Sequence, residues 1–119
     1  MAYDEALADR IRTALADDPD LSEKRMFGGL AFLHRGLMFV GVSGNKLMAR
    51  VGKDNYADSL AQTHVRAMDF TGKPMQGYVY VEPPGLRSDE QLRFWLGRCK
   101  QFVSSLPAKA PNGSGRSRR

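Results

Sequence analysis

"GLAFLHRGLMFVGVSGNKLMARV", Gly29 to Val51, decides how this 119-residue chain is built. Leu30, Phe32 and His34 alternate with Ala31 and Leu33. Met38, Val40 and Val42 keep one phase; Leu47, Ala49 and Val51 keep another, with Lys46, Met48 and Arg50 between them. A period of two is the mark of half-buried strands. Arg35-Gly36 and Ser43–Asn45 interrupt it with short turn-forming residues. The stretch therefore predicts three antiparallel strands joined as a meander.

Outward from this core, Asp4 to Ala16 predicts a helix, because Leu7, Ile11, Ala14 and Leu15 share one face. Asp4 and Glu5 suit its positive end, and Pro19 closes it. After the meander, Gly52 to Gln62 predicts a short helix that Asp54 is placed to cap. A strand is expected near Arg66–Phe70, a loop over "TGKPMQG", and a second strand in "YVYVE", Tyr78–Glu82. That last strand could lie at a sheet edge, and edges invite pairing, so the sequence leaves open whether the chain forms a homodimer. Ser88 and Gln91 then form a capping box ahead of the stripe Leu92, Trp95, Leu96, Cys99, Phe102, Val103 and Leu106, which Pro107 ends. The fold class is α+β, an α-β(3)-α-β(2)-α order with one antiparallel sheet and flanking helices.

Composition excludes several functions. The length fits one domain. A lone cysteine, Cys99, forbids an internal disulfide. The acidic start "MAYDEALADRIRTALADD" is not a secretory leader, and no apolar run is long enough for a membrane span, so the expected compartment is the cytoplasm. The formal charge of +5 is unevenly spread. Residues 1–106 hold 14 basic and 13 acidic side chains, whereas 107–119 hold Lys109, Arg116, Arg118 and Arg119 and no acid. The expectation is a folded domain over 1–106 and a disordered basic tail over 107–119, with the four tail cations as candidate nucleic-acid contacts.

No complete catalytic or metal set is present. "MFGG", Met26–Gly29, leads into a strand rather than from a strand into a helix, so it lacks the context of a phosphate loop. Its glycines are expected to bulge or bend the first strand, with Phe27 packing inward towards Trp95. Lys24, Arg25 and Met26 beside it are the candidate partner-binding residues. His34 and His64 are expected at the surface and in a loop, and with Cys99 they match no metal-ligand spacing. Cys99 lies on an apolar stripe, which points to an inert thiol. Ser43, His64 and Asp69 form a triad only on paper. Glu82 near Asp69 suggests acid–base chemistry, with ion pairing to Arg66 or Lys73 as the plainer account. Lys24, Arg25, Lys46, Arg50 and Arg66, with Met48 and Phe39, are candidates for one shared sheet face, a second support for nucleic-acid binding beside the tail, with a solvated face as the default reading.

"EKRMFGGLAF…GLMFVGV…NKLMARV", followed by a short helix and "FTGKPMQGYVYVEP", resembles the N-terminal domain of the TfoX/Sxy family of bacterial competence regulators. The resemblance covers about residues 5–105. Its marks are Phe27, Gly28 and Gly29, then Gly72, Lys73, Pro74 and Met75, then the Tyr78–Glu82 strand. It implies the same element order, similar to secretion-chaperone-like folds. It also implies transcriptional regulation through protein contacts, in which such regulators act with the cyclic-AMP receptor protein. Full-length regulators carry a second, helical domain, for which this chain has only the tail. The function expected is a non-enzymatic regulatory or adaptor protein without cofactor. Weak tail-assisted nucleic-acid binding is the first alternative, and a small-ligand binder or enzyme the second.

Overall fold

The structure is a computed structural model that describes residues 3–26, 28–69 and 74–107, apart from the side chains of Asp69 and Pro74. The elements run α1 (Glu5–Ala14), β1 (Leu21–Met26), β2 (Gly29–His34), β3 (Leu37–Ser43), β4 (Lys46–Arg50), α2 (Tyr56–Leu60), β5 (Val65–Asp69), β6 (Pro74–Val81), a 3-10 turn (Pro83–Leu86) and α3 (Asp89–Ser104). The six strands form one sheet in the order β1-β2-β3-β4-β6-β5, antiparallel at every pairing. The α+β class with a helix at each end of the chain is as expected.

The first difference is β1. "LSEKRM" carries no apolar alternation, because it is an outer strand whose four central residues are all exposed. Its charged side chains discourage pairing with another chain. With β1 in place, β1 and β2 form a hairpin closed by the Met26–Gly29 pair, and Gly28 has φ +72°. Gly29 has a second constraint, since a Cβ there would lie 2.0 Å from the Val42 carbonyl oxygen. The glycines therefore turn the chain and admit β3, rather than bulging the first strand of the sheet. The inward packing expected of Phe27 lies outside the described residues.

The second difference is the place of Tyr78–Glu82. β6 lies inside the sheet between β4 and β5, so the edges are β1 and β5. The edge-pairing route to a homodimer through Tyr78–Glu82 is thereby removed. β6 also begins earlier than the expected loop, at Pro74, so Pro74 and Met75 belong to a strand. Gly72 and Lys73 lie outside the described residues.

The β2–β3 turn is Arg35-Gly36, with φ +54° and +84°. Two consecutive positive φ values match the right-handed twist of the flanking strands. Past this turn, the register of β2 against β3 shifts between Phe32 and Leu33. The irregularity sends Phe39 into the core with Val40, and Met38 pairs with Leu33 out of the phase its spacing suggested.

One face of the sheet is covered by helices. Leu30, Phe32, Val40, Val42, Leu47, Ala49, Val79 and Val81 pack there against Leu7, Ile11 and Leu15 of the α1 region and against Leu92, Trp95, Leu96, Cys99 and Val103 of α3. Asp4 caps α1 by accepting from the Ala6 and Leu7 amides, one position before the helix rather than within its first turn. The capping box of α3 forms as expected: the Gln91 amide donates to Ser88 Oγ at 3.0 Å, and the Ser88 amide donates to Gln91 Oε1 at 2.9 Å. α2 is shorter than its expected span, and Asn55, not Asp54, precedes it, without a side-chain cap. Among the described residues, no helix is long and apolar enough to cross a membrane.

Candidate functional site

Three groupings of polar and aromatic side chains stand out. The first lies under the helices. Asp18, in the turn after α1, has a side chain only 1% exposed. Its Oδ1 accepts the Asp20 amide at 2.9 Å, and its Oδ2 meets His34 Nδ1 at 2.7 Å and Lys100 Nζ at 3.4 Å. Burial pushes the Asp18 carboxyl up, but the Asp20 amide, the His34 hydrogen bond and the charges of His34 and Lys100 together hold it below its ordinary value. His34 is thus buried, not at the surface as expected. It stands on the helix-covered face with Leu30 and Phe32, edge-on to Phe39. Asp18, Asp20 and His34 place ligand atoms within 4.8 Å of one another. Lys100 already supplies a cation to Asp18, so this chemistry is that of a structural ion pair between the α1–β1 turn, β2 and α3.

The second grouping is on α3. Phe94 is 44% exposed, the one large apolar side chain so exposed among the described residues. It falls off the apolar stripe, one position before Trp95, and its ring meets the Trp95 ring edge-to-face at 5.0 Å. One turn on, the Arg98 guanidinium lies 4.7 Å from the Phe94 centroid and 5.9 Å from that of Trp95. Arg98 also donates to Asp58 Oδ2 at 2.8 Å and to Ser59 Oγ at 3.0 Å, which ties α3 to α2. The Arg98 hydrogen bond and charge lower the Asp58 carboxyl pKa. Beside this patch runs an open groove of about 430 Å³, with Gln62 and His64 on one wall and Glu90, Gln91 and Trp95 on the other. His64 is in a loop, as expected, with φ +69°.

The third grouping is the sheet face without helices. Lys46, Met48 and Arg50 share it, as their alternation requires, and β6 adds Tyr78 and Tyr80 opposite Arg50 and Met48. Lys46 Nζ stands 5.6 Å from the Tyr80 centroid, and the Arg50 guanidinium 5.7 Å from that of Tyr78. Arg50 also reaches the Phe102 ring at 5.4 Å and donates to the Met38 carbonyl at 3.2 Å. Arg66 pairs with Tyr80 from β5 and binds Glu82 at 3.1 Å, the plainer account of Glu82. Met48 is fully buried and lies across Gly41, where a Cβ would meet Met48 Cε at 2.5 Å.

The expected residues are distributed as follows. Lys24 and Met26 alternate onto the open face opposite Ala31 and Gly29, while Arg25 points to the helix side opposite Leu30. The three partner-binding candidates therefore do not form one surface. Of the shared-face set, Lys24, Lys46, Met48, Arg50 and Arg66 fit; Arg25 and the buried Phe39 do not. Cys99 is fully buried, and burial pushes its thiol far up, which suppresses the thiolate. Ser43 and His64 lie near one end of the sheet, but β4 and β6 intervene, about 14 Å at ordinary strand spacing. Asp69 is at the far end of β5, so the paper triad is not assembled. Lys109, Arg116, Arg118 and Arg119 lie outside the described residues.

Phe94, Arg98, Asp18 and Lys100 were not singled out by sequence reasoning. A signal for the first existed: an aromatic residue placed off the stripe of an otherwise amphipathic helix, with an arginine four positions later.

A helix-backed antiparallel sheet with one open face, and aromatic–cation clusters outside its core, defines a small α+β domain. Residues 13–103 match the model of the TfoX N-terminal domain. The chain belongs to that family. No curated protein and no solved structure matches it.

Proposed function

We propose that the chain is a non-enzymatic regulatory adaptor of the cytoplasm that docks a protein of the transcription machinery, in keeping with the competence regulation implied by its family. The observation that carries this reading is the Phe94–Trp95–Arg98 cluster. An exposed aromatic ring held between a second ring and a guanidinium loses little freedom on binding, and Trp and Arg dominate the energetic centres of protein interfaces. The adjoining groove gives such a partner a polar wall to hydrogen-bond. A catalytic role has less support, because the candidate nucleophiles are either buried, as Cys99 is, or remote from a base, as Ser43 is.

Affinity capture from the native host, with nuclease present, tests the proposal. The wild-type chain is expected to retain RNA polymerase or a transcription factor, and Phe94→Ala to lose it while unfolding at the same urea concentration. Identical captured proteins from the two chains would overturn the assignment of the site. Unchanged transcript levels in a deletion strain under competence-inducing conditions would overturn the regulatory role.

A further inference from the structure

The open sheet face combines paired aromatic rings with flanking cations. Tyr78 and Tyr80 are half-buried side chains at i and i+2 of an interior strand, about 7 Å apart along it. Cations stand on both sides of them: Lys46 and Arg50 from β4, and Arg66 from β5. Beyond β4, Ala31, Gly41 and Met48 are buried beneath their neighbours, with Met48 reaching across Gly41. Lys24 adds a further cation at the β1 edge. Among the side chains described, the single carboxylate on this face is Glu82, already bound to Arg66.

We infer that this face binds single-stranded nucleic acid, with Tyr78 and Tyr80 stacking successive bases and Lys46, Arg50 and Arg66 meeting the phosphates. Stacking on neighbouring rings beside a cationic track is how proteins hold single strands without reading sequence. An extended strand lets its bases part to match the i, i+2 ring spacing; a stacked duplex does not offer its bases to rings on a flat sheet. A second copy of the chain is a poor occupant, since a two-fold contact would set the same cations against one another. An acidic peptide satisfies the cations but leaves the rings unused.

The test is fluorescence anisotropy of the full chain with a labelled 12-nucleotide single strand, DNA and RNA in separate arms, at low salt. Four variants are compared: Tyr78→Leu/Tyr80→Leu, Tyr78→Phe/Tyr80→Phe, Lys46→Gln, and a chain with Lys109, Arg116, Arg118 and Arg119 all changed to Gln. The double Leu variant is expected to bind about 25-fold more weakly or worse, because each stacked base contributes at least roughly 5-fold. The double Phe variant keeps its rings and is expected to bind like wild type. Lys46→Gln is expected to flatten the salt dependence by about 0.7 in log–log slope for its one phosphate contact. The tail variant keeps ring-dependent binding at reduced affinity. Four results would each overturn the inference: no single-strand binding at low salt, equal binding of the Leu and Phe variants, equal binding of duplex, or equal competition by polyglutamate. A homodimer abolished by the Leu variant would do the same.

Discussion

Gly29→Ala is the sharpest test of how the sheet is assembled. The absent Cβ would stand 2.0 Å from the Val42 carbonyl oxygen, 3.1 Å from its carbon and 3.3 Å from Ser43 Cα. All three atoms are backbone of β3, so no side chain can swing aside. Relief requires β2 and β3 to part by more than an ångström beside the Leu30–Val42 and Ala31–Gly41 pairs. Losing about two ladder hydrogen bonds, at roughly 1 kcal/mol net each, plus about 1 kcal/mol of overpacking strain gives a cost of about 3 kcal/mol. Gly28→Ala is the control. Its Cβ would meet nothing within 4 Å, and only φ +72° is unfavourable, which costs about 1 kcal/mol. In urea, followed by Trp95 fluorescence, a slope of about 1.5 kcal/mol/M turns these costs into midpoint drops of about 2 M and about 0.7 M. Equal midpoints for the two variants, or a wild-type midpoint for Gly29→Ala, would refute the close-approach reasoning.

Two further outcomes follow from the buried groups. Asp18→Asn is expected to cost about 2 kcal/mol at neutral pH, since it weakens charge-assisted hydrogen bonds inside the fold. Because the folded carboxyl lies below its ordinary 3.8, its contribution is complete above that pH and fades as pH falls towards the folded value. The acid limb of a stability–pH curve should therefore be shallower in the variant, and parallel limbs would contradict the assignment. Cys99, fully buried with a suppressed thiolate, should react with a disulfide reagent only as fast as the chain opens. Prompt stoichiometric labelling of the native protein would show that the α3 stripe is not packed as described.

Some of this was legible from the residues and some was not. The β2–β3–β4 meander and α3 were, because alternation, turn glycines, a capping box and a seven-residue stripe all agree there. β1 was not: an edge strand flanked by solvent has no need of apolar alternation, and "LSEKRM" has none. The phase of Met38 failed for a local reason, since one irregularity between Phe32 and Leu33 exchanges it with Phe39. "YVYVE" was readable as a strand but not as a surface. Either its valines or its tyrosines could face the helices, and only the packing of Val79 and Val81 against the core settles that the rings point away. Asp18 looked like part of a helix-ending "DDPD", because its partners His34 and Lys100 are 16 and 82 positions distant.

Gly41 and Met48 have an evolutionary consequence. The methionine's terminal methyl fills the volume that any side chain at 41 would claim. The Cβ of an alanine at 41 would also stand 2.8 Å from the Leu30 carbonyl oxygen, so shortening the residue at 48 does not by itself make room for it. Position 41 is therefore closed to any side chain while β2 and β3 keep their present spacing, which makes the flat centre of the open face slow to mutate.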